Sequence, residues 1–107
     1  MFNFGKVILV PFPFTDLSGS KVRPAVVISN KNSGEDIILA FISTNTKKKR
    51  RFEVFVKMNE KNGLKADSVV LVSKIATLEK KVVLGEIGRL SDKELLAIKD
   101  KLKELFL

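Results

Sequence analysis

A mainly β domain carrying one C-terminal α-helix is the fold class the sequence predicts, and three observations lead to it. Short apolar runs rich in β-branched residues recur at Val7–Val10, Ala25–Ile28, Ile37–Ile42 and Val69–Val72, each bounded by polar, glycine or proline residues. Branching at Cβ is accommodated better in a pleated strand than against a helical turn. Residues 52–57 alternate, with Phe52, Val54 and Val56 on one side and Glu53, Phe55 and Lys57 on the other. That period of two marks a strand with an internal face. Only after Leu90 does the apolar spacing become helical.

The first strand, Val7–Val10, and the second, Ala25–Ile28, flank a connection containing Pro11, Pro13, Asp16, Ser18, Gly19 and Ser20. Neither proline can donate to the middle of a two-sided ladder, so this stretch is expected to be loop. It ends at Arg23-Pro24, where the proline biases Arg23 toward extended geometry and sets its guanidinium at the mouth of a strand, a good position for holding an anion. Phe12 and Phe14 either pack over one end of a barrel or form an aromatic wall for a base, since stacking contributes ~1–3 kcal/mol per base. Phe2 and Phe4 are expected to join the sheet or cover its core.

After the third strand, Ile37–Ile42, come Ser43, Thr44, Asn45 and Thr46. They are either an ST-turn or hydroxyls fixed at a strand end. Lys47, Lys48, Lys49, Arg50 and Arg51 repel one another, so they belong on an exposed loop that could hold a phosphate backbone in a salt-dependent way. Asp67 and Ser68 precede the strand Val69–Val72; Asp67 either caps a turn or orients an arginine or a nucleotide. Residues 74–81 are expected to form a bend or short helical turn before a strand at Val82–Leu84, with Gly85 and Gly88 marking a bulge or close strand approach. In the last segment Ser91 and Glu94 have the spacing of a capping box, and Leu90 with Leu95 that of a hydrophobic staple. Leu95, Ile98, Leu102 and Leu105 form the stripe that packs on the barrel or on a partner.

The chain of 107 residues is 45 % hydrophobic, which suits one domain, 1–107, with a single core. It contains neither Cys nor His, which removes disulfide scaffolds, thiolate zinc sites, cysteine nucleophiles and the usual general base. The acidic residues are scattered, so neither a metal site nor a cofactor is expected. Apolar runs stop well short of the ~20 residues that span a bilayer, and MFNFGK lacks a signal-peptide pattern, so a cytoplasmic location away from membranes is expected. Twenty Lys and Arg against twelve Asp and Glu give a charge of +8, compatible with an anionic polymer as partner and equally with a merely soluble surface.

The segments VILVPFPFTDLSGSKVRPAVVIS, ILAFISTNT, GLKADSVVLVSKIATLEKK and EIGRLSDKELLAIKDKL, in that order, resemble the MazF/PemK family of toxin endoribonucleases over essentially the whole chain. The resemblance implies a small SH3-like barrel of the CcdB/PemK type, a homodimer, neutralisation by a cognate antitoxin, and contact with operator DNA only through that antitoxin. It implies sequence-selective cleavage of single-stranded RNA, independent of metal, by attack of the substrate's 2′-hydroxyl, leaving a 2′,3′-cyclic phosphate and a 5′-hydroxyl. The family's RP arginine falls on Arg23 and its strand-end hydroxyl on Ser43, where many members have Thr. A register shift would bring Thr44 in instead.

On this basis Arg23 would stabilise charge at phosphorus and Ser43 would position the phosphate or the reacting oxygen. Phe14, Asp16, Thr44, Asn45, Lys47, Lys48, Lys49, Arg50, Asp67, Ser68 and Thr77 are the candidate substrate-binding residues. Ala76 replaces an arginine found in some relatives, so their base specificity is not carried over to this chain. Two other functions fit the same barrel: a noncatalytic toxin like CcdB, whose relatives act on gyrase, and a nucleic-acid-binding module.

Overall fold

The fold is seen in a computed structural model that describes residues 2–12, 21–30, 34–48 and 50–107. Six strands, β1 (Lys6–Phe12), β2 (Lys21–Val27), β3 (Asp36–Ser43), β4 (Glu53–Val56), β5 (Ser68–Glu79) and β6 (Gly85–Arg89), precede one helix, α1 (Asp92–Phe106). They form one sheet in the order β4-β5-β3-β2-β1-β6, antiparallel throughout. The expected small barrel is thus a curled half-barrel. β6 pairs with β1 only as far as Leu9, and β3 meets β2 only from Ala25 onward. Pro11 and Pro24 therefore stand where their strands are laddered on one side alone, the position at which a sheet tolerates proline.

The two free edges, β4 and β6, are joined by the connection after β4. The N–H of Arg89 donates to the Lys61 carbonyl at 2.8 Å, and a Cβ on Gly88 would collide with that same oxygen. This close approach explains the glycine at position 88. Asn62, fully buried, holds the connection in shape: its Nδ2 donates to the Lys57 carbonyl at 2.9 Å, while its Oδ1 accepts the N–H groups of Asn59 and Leu64. Opposite Val7 and Ile8, β6 carries Ile87 as an extra residue between Gly88 and Glu86. It is a bulge of the kind anticipated from the glycines.

Two expectations fail between residues 74 and 84. The segment Lys74–Glu79 is not a bend but the second half of β5, because Ile75–Glu79 pair with Ala40–Asp36 of β3. The turn comes later, as a 3-10 helix at Lys80–Val82, and Val83 and Leu84 precede β6 instead of forming a strand. Within β5 the register jumps: Phe41 faces Leu71, while the preceding Ala40 faces Ile75. Val72, Ser73 and Lys74 thus have no opposite number on β3.

In place of the single expected core, alternating side chains build two apolar clusters on opposite faces of the central strands. One joins Val7, Val26, Ala40, Ile42, Val54, Val56, Val70 and Val72 to Leu90, Leu95 and Ile98, with Phe4 packed against it. The other joins Ile8, Val10, Ala25, Val27, Ile37 and Leu39, covered by Phe2, Phe41, Ala76, Leu78 and Val83. The helix closes the first. Ser91 Oγ accepts the Glu94 N–H at 3.2 Å and Glu94 Oε1 accepts the Ser91 N–H at 2.9 Å, completing the capping box. Leu95 and Ile98 are buried, whereas Leu96 and Phe106, on the flanks of the stripe, are exposed. Among the described residues no helix is long and apolar enough to cross a membrane.

Candidate functional site

The second cluster's face changes character at the strand ends. Phe12 continues the side of β1 that holds Ile8 and Val10, Arg23 the side of β2 that holds Ala25 and Val27, and Ser43 the side of β3 that holds Ile37, Leu39 and Phe41. After its jog, β5 presents Lys74 on the side of Ala76 and Leu78. Strand alternation carries all four side chains to one side of the sheet. Continuing the Ala25–Phe41 register two residues along each strand brings Arg23 level with Ser43.

These residues line one open cleft of about 430 Å³: Phe12, Arg23, Phe41, Ile42, Ser43, Leu71, Lys74 and Ile75. Its walls are mostly apolar. Among the described residues its polar groups are two cations and a hydroxyl, with no carboxylate, so these residues favour an anion bearing an apolar or aromatic part. Arg23 and Lys74 are exposed, and among the described residues neither takes part in an ion pair. Phe12 is 40 % exposed and meets Phe41 edge-to-face with ring centroids 5.2 Å apart.

Ser43 also forms the expected ST-turn. Its Oγ accepts the Asn45 N–H at 3.1 Å, and Asn45 Oδ1 in turn accepts the Lys48 N–H at 3.3 Å. A serine hydroxyl has one proton to donate and two acceptor positions, so the turn holds the oxygen in place and leaves the proton for another partner. Turn and site are thus compatible at the same residue. Thr44 lies past the end of β3, exposed and off the cleft wall; the register of β3 presents Ser43 to the cleft.

The remaining sequence candidates are dispersed. Asn45, Lys47 and Lys48 are exposed on the loop leaving β3, which spans from β3 across β5 to β4. Arg50 is turned back onto this loop: Nη1 lies 3.2 Å from Glu53 Oε2 and donates to the Asn45 carbonyl at 3.2 Å. Arg51 stacks over Phe52 at 5.1 Å from the ring centroid. Asp67 fills neither of the two roles open to it: its Oδ1 accepts the Met58 N–H at 2.9 Å, nine residues earlier, and so ties together the two ends of the connection between β4 and β5. Ser68 is buried and donates to the Ala66 carbonyl at 2.9 Å. Thr77 faces Ile38 in the middle of the β3–β5 ladder, away from the cleft. Phe14, Asp16 and Lys49 lie outside the described residues.

Lys74 was not among the residues anticipated for the site, and neither were Phe41, Leu71 and Ile75. The available signal was the Ser73-Lys74 pair interrupting an otherwise apolar run from Val69 to Ala76, which is how a bulge within one long strand reads in sequence. Among the described residues no three Asp, Glu, His or Cys side chains gather as metal ligands do.

The sequence model of one family, described as "PemK-like, MazF-like toxin of type II toxin-antitoxin system", matches residues 3–106. Compared with the curated proteins, the sequence has no significant match. Among solved structures, the Mycobacterium tuberculosis toxin MazF-mt6 superposes with a TM-score of 0.74 at 22 % identity, covering 94 % of this chain and 95 % of that one. MazF from Deinococcus radiodurans gives 0.75 at 18 % identity, covering 96 % and 94 %. An endoribonuclease in complex with its cognate antitoxin, from a mycobacterial species, gives 0.74 at 18 % identity, covering 95 % and 91 %. At these identities the likeness is one of fold.

Proposed function

The chain belongs to the PemK-like, MazF-like toxins of type II toxin–antitoxin systems, and from that premise we propose that it is an endoribonuclease that cleaves single-stranded RNA without a metal and is neutralised by a cognate antitoxin. The observation that carries this reading is the convergence of Arg23 and Ser43, from two strands, on one cleft walled by aromatic and aliphatic side chains. An aromatic face accepts an unpaired base and a guanidinium accepts the neighbouring phosphate.

In the proposed reaction the RNA 2′-oxygen loses its proton and bonds to the adjacent phosphorus. The bond from phosphorus to the 5′-oxygen breaks, and that oxygen gains a proton. The products are a 2′,3′-cyclic phosphate and a 5′-hydroxyl. Negative charge grows on the nonbridging oxygens as the 2′-oxygen approaches, and the Arg23 guanidinium stabilises it. Ser43, its oxygen fixed by the Asn45 N–H, donates to a phosphate oxygen and so aligns the linkage for attack. Both residues act by position and charge.

The test incubates the purified protein with varied single-stranded RNA in the presence of a chelator and reads the fragment ends by mass spectrometry. Cyclic phosphate and 5′-hydroxyl ends support the mechanism; 5′-phosphate and 3′-hydroxyl ends overturn it. The same reading includes a symmetric homodimer. Phe55, on the outer face of edge strand β4 and 55 % exposed, is its apolar contribution. Light scattering across a dilution series that shows only monomer at active concentrations removes the dimer from the proposal.

A further inference from the structure

We propose that Lys74 is a second phosphate-binding residue of the cleft, so that the site grips two successive phosphates of the RNA backbone, Arg23 holding the linkage to be cleaved and Lys74 its neighbour. The inference rests on the endoribonuclease reading and adds a residue that periodicity concealed. Its basis is the jog in β5. Because Val72, Ser73 and Lys74 have no opposite number on β3, the strand is re-aimed there, which is the usual effect of a bulge beside a site. Lys74 then enters the cleft on the side of the sheet that carries Arg23 and Ser43.

The order β5-β3-β2 puts Ser43 on the strand between the two cations. Two strand spacings separate β5 from β2, roughly 9–10 Å of backbone, so the two charged heads can address two phosphates in sequence as well as converge on one. Among the described residues Lys74 has no acidic partner, and none of those that line the cleft is acidic. An ammonium and a guanidinium facing one cleft repel each other, and phosphates bound there relieve that repulsion. Lysine meets phosphate as a point charge on a flexible stem, which suits holding a backbone over reading a base.

The experiment measures binding of a short 2′-O-methyl RNA, which cannot undergo 2′-hydroxyl attack, to wild type, Lys74→Met and Lys74→Arg across a salt series. Removing one cation that neutralises a single-strand phosphate lowers the slope of log K against log salt by about 0.7. Lys74→Met is expected to show that decrease, and Lys74→Arg to keep the wild-type slope. The wild-type slope in a folded Lys74→Met variant overturns the assignment, and so does a lowered slope that Lys74→Arg fails to restore. Because the probe is uncleavable, RNA binding without cleavage of the unmodified strand sinks the nuclease reading and leaves Lys74 standing. No binding by wild type sinks both. In cleavage assays, Lys74→Met should raise KM more than it lowers kcat, and the reverse pattern contradicts a grip on the neighbouring phosphate.

Discussion

The two faces of the central strands contain nearly the same residue types but are finished differently. On one face Val7, Val26, Ala40 and Val70 are sealed by Leu90, Leu95 and Ile98, a lid begun by a complete capping box. On the other face Ile8, Val10, Ala25 and Leu39 are covered by Phe2, Phe41 and Val83 together with Ala76 and Leu78 of β5, and the cover stops short of the jog. Where it ends, Arg23, Ser43 and Lys74 line an open cleft. Adjacent residues of one strand thus serve different ends, because successive side chains point to opposite faces. The helix-covered cluster lies on one face and the proposed site at the open margin of the other, so substitutions on the two faces should separate cleanly.

Ile98→Ala should have the largest effect. The side chain is fully buried beneath the helix, and its truncation is expected to lower unfolding free energy by about 2–5 kcal/mol in urea melts. Below the new midpoint the RNA products should be unchanged; altered fragment ends would mean that the two faces are not independent. Arg23→Ala is the converse. Loss of transition-state stabilisation of ~3–4 kcal/mol corresponds to roughly two to three powers of ten in cleavage rate. The urea midpoint should stay put, as for an exposed residue it usually does within about 0.5 kcal/mol. Full activity in folded Arg23→Ala would remove the cleft from the mechanism.

Ser43→Ala should cost less, about 1.5–3 kcal/mol for a hydrogen bond to a charged group, or roughly ten- to hundredfold in rate. Ser43→Thr should retain more activity by restoring the hydroxyl. Equal loss in both variants would shift the role from hydroxyl to turn. Ser91→Ala removes the cap beneath the first face and should lower stability by about 1 kcal/mol with cleavage unaffected. The smallest change is expected from Lys47→Met combined with Lys48→Met. Both lysines are exposed on the loop leaving β3, so fold and cleavage ends should persist while the salt slope of RNA binding declines by about 0.7 for each phosphate no longer neutralised. An unchanged slope takes this loop off the RNA path. Arg50 should add little to that change, because its guanidinium is already engaged by Glu53 and the Asn45 carbonyl.

Much of the molecule was legible because its determinants are local. β-Branched runs mark β1, β2, β3 and the start of β5, strict alternation marks β4, and Ser91, Glu94 and Leu95 declare the helix start by contacts within one turn. Arg23 was legible for a similar reason: a following proline and a strand edge constrain it through its immediate neighbours. What tertiary structure decided is everything that depends on a partner far along the chain. Residues 75–79 lack a compelling local signal and become strand only because residues 36–40 stand opposite them. The register of that pairing, in turn, throws Lys74 into the cleft. Arg50 and Ser68 look available in sequence, yet one is held by an ion pair and the other by burial. Local propensity is written in each residue's own backbone preferences, whereas register, burial and the meeting of Arg23, Ser43 and Lys74 arise from pairing between distant strands, where a shift of one residue sends a side chain to the opposite face.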